Sequence, residues 1–161
     1  MAVSAKESTL IRVKMAGIGF GQAPDELETL LGSCVGIAIW ERKSKLGALA
    51  HIVLPKSSGP QSSPGKFADT AISDMKQKLI ARGANPRRLT AKIAGGAAMF
   101  GPDTKQDIGN KNCEAVLEYL RQAEITVIAQ HLRGRQGRQV RFSTSDGSLA
   151  VSIAREQVAV I

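Results

Sequence analysis

The sequence is poor in cysteine, histidine and aromatic residues, and it has no long apolar run. Of its 161 residues, two are cysteine, two are histidine and 4% are aromatic. Two cysteines are too few for a disulfide framework, so we expect Cys34 and Cys113 to be free thiols. The shortage of aromatic side chains disfavours binding of single-stranded nucleic acid by base stacking. Because neither a signal peptide nor a membrane-spanning run is recognisable, we expect a soluble, cytoplasmic protein.

What the chain does contain is enough apolar sequence for one core, and an excess of basic charge. Hydrophobic residues make up 43% of the chain and charged residues 22%, which fits one compact domain over residues 1–161. The net charge of +8 favours encounter with an acidic partner, which can be a protein or a nucleic acid. Charge alone does not separate these two classes of partner.

Hydrophobic spacing predicts two amphipathic helices among a larger number of strands. Apolar residues recur at helical spacing from Phe67 to Arg82, and Gly83 fits the end of that helix. A second helix is predicted around Cys113 to Leu120, with Asn110 as its N-cap. Period-two or continuous apolar patterns predict strands at residues 11–15, 35–40, 46–54, 90–94, 125–132, 138–144 and 148–154. This order of elements predicts an α+β layered sandwich, with two helices packed on a mixed, largely antiparallel sheet.

Two segments rich in glycine or proline are predicted to be loops. Residues 16–25 follow the first strand, and residues 56–65 follow the strand that carries His51. The second of these loops combines serine, proline and glycine. Its position directly after the His51 strand suggests a lid over a bound substrate.

Cys34 and His51 fall on the two strands of one predicted hairpin. If the chain turns near Arg42 and Lys43, opposed residues have numbers that sum to about 85, and Cys34 lies directly opposite His51. Their Cβ atoms would then be roughly 4.5 to 5.5 Å apart. A thiolate can attack a carbonyl carbon, and a neighbouring imidazole can take up and return its proton. Because the register depends on the turn, a second interpretation stays open, in which Cys34 is a small core residue.

Small residues precede Cys34 in the chain. Gly32 and Ser33 would let a substrate approach the backbone closely, and backbone N–H groups here could be aimed at a developing oxyanion. These two residues are therefore candidate oxyanion donors.

The other reactive side chains have structural interpretations. Cys113 lies on the apolar stripe of the second helix, and His131 is placed at the end of a strand. Together with Cys34 and His51 they lack the paired spacing of zinc ligands, so no metal site is expected. Four arginines between residues 133 and 141 concentrate positive charge. This run is either a solvated hairpin or a grip for phosphates or acidic helices.

Five blocks of the chain together resemble one known family. They are LGSCVGIAIW, GALAHIVLP, PGKFADTAI, KIAGGAAMF and IGNKNCEAVLEYL, in the family's order between Leu31 and Leu120. On these blocks the chain is similar to the CheD family, the chemoreceptor glutamine deamidases of bacterial chemotaxis. The resemblance implies a protein-glutamine glutaminase, a cysteine hydrolase that converts particular receptor glutamines to glutamate.

The resemblance also implies roles for particular residues. The family's nucleophile falls on Cys34 and its general base on His51. A threonine that orients the histidine stands six residues before the family's cysteine, where this sequence has Glu28, with Thr29 one residue later. Either Thr29, which we favour, supports His51 after a local shift, or Glu28 does so as a carboxylate, or the site is impaired.

Fold and partners follow from the same resemblance. It implies a layered α/β/α sandwich similar to the catalytic domains of deamidating bacterial toxins, with no metal or organic cofactor. It implies the cytoplasmic helices of chemoreceptors, the methyl-accepting chemotaxis proteins, as substrates, and a CheC-type phosphatase as a further partner. Two alternatives stay open. The chain could be an adaptor that binds such partners with little catalysis, or it could bind nucleic acid through its arginine run.

Overall fold

Two five-stranded sheets and two α-helices make up the part of the chain that the computed structural model describes, residues 6–60, 63–100 and 107–161. The first sheet has the order β1-β3-β8-β9-β10 and the second the order β2-β5-β4-β6-β7. The strands are β1 (Leu10–Arg12), β2 (Ile18–Gln22), β3 (Glu26–Leu31), β4 (Val35–Glu41), β5 (Leu46–Ile52), β6 (Leu89–Gly95), β7 (Thr126–Leu132), β8 (Arg138–Ser143), β9 (Leu149–Ile153) and β10 (Glu156–Val160).

Both sheets are mixed and largely antiparallel. Strands β1 and β3 pair in parallel in the first sheet, as do β6 and β7 in the second, and the other strand pairs are antiparallel. The helices are α1 (Ala68–Ala81) and α2 (Ile108–Gln122). Neither helix in the described ranges is long and apolar enough to cross a membrane.

The two helices lie together on one face of the second sheet, and the first sheet covers its other face. One apolar cluster joins α1 and α2 to the second sheet, and a separate cluster fills the space between the two sheets. The expected α+β sandwich with two main helices is therefore confirmed. Its layers run helix, sheet, sheet, whereas the α/β/α expectation put a single sheet between helices. Strands β4 and β5 are buried almost throughout because both of their faces are covered.

The hairpin that carries the two predicted catalytic residues has a different register from the expected one. Gly36 lies opposite His51, and Val35 lies opposite Ile52, so opposed numbers sum to 87. The prediction that Cys34 lies directly opposite His51 is wrong. The difference is two residues, which preserves the face, since side chains alternate along a strand. Cys34 is a diagonal neighbour of His51 on the face that points toward the first sheet.

Glu41, at the end of β4, explains where the chain turns. Its carboxylate accepts hydrogen bonds from the backbone N–H groups of Lys43 and Ser44, at 2.9 and 3.3 Å, and from the Ser44 hydroxyl. Arg88 adds a charge-assisted bond from its Nε at 2.9 Å. These contacts centre the turn between Lys43 and Ser44, one residue later than the sequence suggested.

Removing the Glu41 charge should weaken the fold measurably. Burial alone would raise its carboxyl pKa, but hydrogen bonds from Ser44, Arg88 and Lys43 lower that pKa to about 2 from 4.5. A lowered pKa gives stability that is present above pH 4.5 and is lost as the pH falls through about 2. We expect Glu41→Gln to lower the free energy of unfolding at pH 7 by about 2 kcal/mol, measured by urea denaturation.

A matched control is Glu118→Gln on α2. Hydrogen bonds from Arg121 and Gln122 also lower the pKa of Glu118 to about 2, but this side chain is exposed. An exposed pair contributes little to stability because water and salt screen it. Equal urea midpoints for the two variants would contradict the role given to Glu41.

The structure confirms the limits of the first predicted helix but not the predicted N-cap of the second. Helix α1 lies within the predicted limits, and Gly83 follows it with a positive φ of 107°. Helix α2 has Asp107 as its N-cap, so Asn110 as the cap is wrong; the Asp107 carboxylate accepts from the Asn110 N–H at 3.0 Å. In the predicted lid, residues 61–62 lie outside the described residues.

The predicted loop at residues 16–25 contains strand β2, so that prediction is also wrong. Its glycines hid the strand pattern, yet they are what the position requires. A Cβ on Gly19 would lie 3.0 Å from the side chain of Leu27 in β3, and one on Gly21 would lie 3.3 Å from the same side chain. Glycine here permits close approach of the two sheets.

Candidate active site

Cys34 lies in the three-residue connection between β3 and β4, at the head of the buried hairpin. Its side chain belongs to the cluster between the two sheets and the residue is 8% exposed. The connection is held through its carbonyl groups. Gly32 and Cys34 accept from the N–H groups of Ala97 and Gly96, at 3.0 and 2.9 Å, and Ser33 accepts from a buried side chain on α2. The backbone around the thiol is therefore fixed.

His51 projects from β5 into the space between the sheets and is 4% exposed. Its Nδ1 lies 2.7 Å from the Thr29 hydroxyl oxygen, and that hydroxyl also lies 2.8 Å from the carbonyl of Val13. A hydroxyl has one proton to donate, and the Val13 carbonyl can only accept. Thr29 therefore donates to Val13 and accepts from Nδ1–H of His51. This assignment leaves the lone pair of the neutral ring on Nε2.

Thr29 and Glu28 point to opposite faces of β3, and only Thr29 reaches the imidazole. Glu28 faces away from the second sheet, where its carboxylate accepts from Arg12 at 3.1 Å and Arg141 at 2.8 Å. Burial alone would raise the pKa of Glu28, but these two arginines lower it. The carboxylate partner that the sequence left open for His51 is thus engaged elsewhere.

The thiol and the imidazole share a face, and burial favours the uncharged form of each. Burial raises the pKa of Cys34 from its ordinary 9.0, against a smaller lowering by its own backbone N–H. Burial lowers the pKa of His51 from 6.5. Within the described residues, His51 Nε2 is buried and has no hydrogen-bond partner. The imidazole is therefore a free base in a buried site, which is the state needed to accept a proton.

Backbone N–H groups beside the thiol are also free to donate. In the part of the chain that the structure describes, the N–H groups of Ser33 and Cys34 have no carbonyl or side-chain oxygen as acceptor. The Cys34 N–H lies beside its own sulfur, next to the carbon at which an oxyanion would form. These donors can bind an oxyanion that forms next to the sulfur.

The other predicted residues lie where structural roles place them. Cys113 is fully buried on the core-facing side of α2, as expected. His131 lies near the end of β7, as expected, and its Nδ1 accepts from Arg138 at 2.9 Å. Among the described residues, no group of three or more histidine, cysteine or acidic side chains could hold a metal ion.

The arginine run divides into different environments. Arg138 is 3% exposed and donates to backbone carbonyls of Gln136 and His131, so it is not part of a solvated hairpin. Arg141 pairs with Glu28 on the outer face of the first sheet, as described above. The interpretation of the run as a solvated hairpin is therefore wrong for Arg138.

Sequence reasoning missed Asn112, which contacts the backbone beside the thiol. Its side chain is fully buried, and its amide donates to Ser33 and Val53 carbonyls. A signal was present in the sequence. Asn112 stands four residues before Val116, on the apolar face of the second helix, where a polar side chain needs a buried partner.

A buried thiol that shares a face with an imidazole, a free ring nitrogen on that imidazole, and backbone N–H groups without an acceptor form the kind of arrangement that cysteine hydrolases use. The chain belongs to the CheD family, since its residues 53–153 match the family model described as CheD chemotactic sensory transduction. That model begins after both the thiol and the imidazole.

Curated relatives extend the similarity over those residues. A protein of Methanococcus vannielii named "Probable chemoreceptor glutamine deamidase CheD" is 45% identical over 149 residues, which is 91% of this chain and 97% of the relative. One of the same name from Clostridium acetobutylicum is 42% identical over 88% of this chain and 89% of its own length. The crystal structure of the Neisseria meningitidis protein NMB0706 covers 87% of this chain and 75% of its own at 9% identity and a TM-score of 0.51, which supports the fold alone.

Proposed function

We propose that this protein deamidates glutamine side chains of chemoreceptors to glutamate, with Cys34 as nucleophile, His51 as general base and Thr29 as the residue that orients His51. The observation that carries the proposal is the hydrogen bond from His51 Nδ1 to Thr29, at 2.7 Å, which leaves Nε2 free. The curated relatives named as chemoreceptor glutamine deamidases supply the substrate class. A net charge of +8 suits an encounter with acidic receptor helices.

The first half of the reaction forms a thioester. The Cys34 sulfur attacks the glutamine δ-carbon while its proton passes to His51 Nε2. The carbonyl oxygen becomes an oxyanion, which accepts hydrogen bonds from the N–H groups of Ser33 and Cys34, and Gly32 gives the substrate room to approach. His51 then returns the proton to the amide nitrogen, the carbon–nitrogen bond breaks, and ammonia leaves.

The second half restores the enzyme. His51 removes a proton from water as the water oxygen attacks the thioester carbon. The carbon–sulfur bond breaks, the sulfur regains the proton from the imidazole, and the receptor side chain is now a glutamate. No oxidant, metal ion or organic cofactor is needed for the balance of this sequence.

Removal of the Thr29 hydroxyl tests the support of the base. Thr29→Val keeps the side-chain shape but leaves Nδ1–H of His51 without its acceptor. We expect kcat/KM for ammonia release from a receptor cytoplasmic fragment to fall about 10- to 100-fold. Thr29→Ser retains the hydroxyl and should stay within about threefold of the wild-type protein.

The control is Glu28→Gln, one residue away on the opposite face of β3. It should leave kcat/KM nearly unchanged, because Glu28 contacts arginines and not the imidazole. If Glu28→Gln lost as much activity as Thr29→Val, the assignment of the orienting residue would be wrong.

Normal binding to a CheC-type phosphatase or a receptor, with no ammonia release by the wild-type protein, would favour the adaptor alternative.

Alkylation of Cys34 by iodoacetamide tests the uncharged resting pair. Because burial raises the thiol pKa, Cys34 is protonated at pH 7, and its thiolate fraction grows only as the pH passes 9.0. We expect the alkylation rate to keep rising above pH 9.0, measured by intact mass over time. A rate that reaches its plateau below pH 7 would indicate a preformed thiolate–imidazolium pair and contradict this part of the mechanism.

A further inference from the structure

We propose that Asn112 is a positioning residue for the oxyanion donors: its side chain fixes the Ser33–Cys34 peptide so that the Cys34 N–H faces the substrate carbonyl. This inference rests on the proposed deamidase function. It assigns a catalytic consequence to a helix residue that touches neither the sulfur nor the imidazole by any hydrogen bond in the described residues.

Asn112 joins the two segments that carry the thiol and the base. Its Nδ2 donates to the Ser33 carbonyl at 3.1 Å and to the Val53 carbonyl at 3.0 Å. Ser33 directly precedes Cys34, and Val53 follows His51 by two residues. The side chain is fully buried, so water does not compete for either carbonyl. One amide group therefore ties α2 to both sides of the hairpin head.

The geometry of the peptide bond then sets the direction of the Cys34 N–H. In a trans peptide, the carbonyl and the next N–H point in opposite directions. Since Asn112 draws the Ser33 carbonyl toward α2, the Cys34 N–H must point away from α2. The Ala97 N–H holds the Gly32 carbonyl in the same way at 3.0 Å, which aims the Ser33 N–H.

The backbone N–H groups that bind the connection between β3 and β4 lie on the same side of it as Asn112. Gly96, whose N–H holds the Cys34 carbonyl, packs so closely on α2 that an added Cβ would lie 2.1 Å from the Cys113 sulfur and 3.0 Å from the Gly109 carbonyl. Three consecutive carbonyls of the connection are thus bound on its helix side. The N–H groups of Ser33 and Cys34, which follow the first two of these carbonyls, are left for the substrate side.

Asn112 acts only as a hydrogen-bond donor in this arrangement. In the described part of the chain, its Oδ1 is buried without a hydrogen-bond partner. The Asn112→Leu variant has a similar volume and removes both donated bonds. The Ser33–Cys34 peptide would then be free to rotate, and the oxyanion donors would lose their fixed direction.

The effect should appear in kcat and spare KM, because the oxyanion exists only after attack. We expect Asn112→Leu to lower kcat for ammonia release about 100-fold and to leave KM within about threefold. Alkylation of Cys34 by iodoacetamide displaces a halide and forms no oxyanion, so its rate should stay within about twofold. Val116→Ala, a core truncation on the same helix, controls for general loss of stability.

Three results decide the proposal. A fall in kcat with preserved KM and alkylation in Asn112→Leu, absent in Val116→Ala, supports it. An unchanged kcat overturns it, and a parallel fall in kcat and alkylation also overturns it, because the role of Asn112 would then be to hold the thiol itself. If Asn112→Leu does not fold, Asn112→Ser, whose hydroxyl can donate to only one of the two carbonyls, should show the same pattern at about tenfold.

Amide NMR separates failure of this inference from failure of the proposed function. The backbone amide signal of Cys34 should shift strongly in Asn112→Leu, or in Asn112→Ser, and stay in place in Val116→Ala. A Cys34 signal that does not move overturns the positioning role whether or not the protein is a deamidase. Absence of ammonia release by the wild-type protein would overturn the deamidase proposal instead.

Discussion

Replacement of Cys34 by alanine is expected to lower the rate of ammonia release from a receptor cytoplasmic fragment by about 10⁵-fold or more. The thiol is the only group in the proposed mechanism that bonds covalently to the substrate, so no neighbouring side chain can replace it. The measurement is initial-rate ammonia release at saturating receptor fragment. Circular dichroism should show an unchanged fold, because the substitution removes one small atom from the rim of the core.

Cys113→Ala is the matched control for this experiment. It removes the other thiol, which is fully buried on α2 and belongs to the apolar cluster between the helices and the second sheet. We expect it to keep activity within about threefold, with a modest loss of stability from the small cavity. Ammonia release that persists in Cys34→Ala and disappears in Cys113→Ala would reverse the assignment of the nucleophile.

Replacement of His51 by glutamine is expected to lower kcat by about 10³- to 10⁴-fold. Glutamine can still bond to Thr29, but it cannot accept a proton from the sulfur or from water. The pH dependence gives a second readout. Burial lowers the pKa of His51, so wild-type activity should fall only below pH 6.5, where the ring becomes protonated, and this acid limb should be absent in His51→Gln.

His131→Gln serves as its control. His131 accepts a hydrogen bond from Arg138, and the side-chain carbonyl of a glutamine can accept that bond in its place. We expect nearly normal kcat and an unchanged acid limb. If His131→Gln, and not His51→Gln, removed the limb below pH 6.5, the base would have been assigned to the wrong histidine.

The hairpin that carries the candidate site could be predicted from the sequence, but its register could not. Two apolar runs separated by a short polar stretch indicate a hairpin, and the CheD-like blocks single out Cys34 and His51. The exact pairing depends on Glu41, whose carboxylate organises the turn through contacts with Ser44 and Arg88. Arg88 is 47 residues away in the chain, so no local pattern reveals this contact.

The choice between Thr29 and Glu28 as the partner of His51 follows from the alternation of side chains along a strand. Leu27, Thr29 and Leu31 are buried against the second sheet, which puts Glu28 on the other face of β3. A strand assignment for residues 26–31 would have excluded Glu28 as a partner of His51 from the period of two alone. Position relative to the family motif does not carry this information, because it does not say to which face a side chain points.

Long-range polar contacts were beyond sequence reasoning for a physical reason. Asn112 bonds to carbonyls 79 and 59 residues earlier in the chain. Backbone carbonyls are present at every residue, so nothing in their sequence marks which of them a side chain will bind. The order of the layers could not be predicted for a similar reason. Helical and strand periods predict which elements form, but which face of a sheet each element covers depends on how the chain connects them.

The covalent intermediate is the most direct test of the proposed chemistry. We would incubate the protein with a receptor cytoplasmic fragment, quench with acid during turnover and search the digest for a thioester between Cys34 and a receptor glutamine side chain. We expect a joined peptide whose mass is the sum of the two peptides less one ammonia, absent in Cys34→Ala. Steady ammonia release without that adduct, retained when Cys34 is replaced, would contradict the central claim.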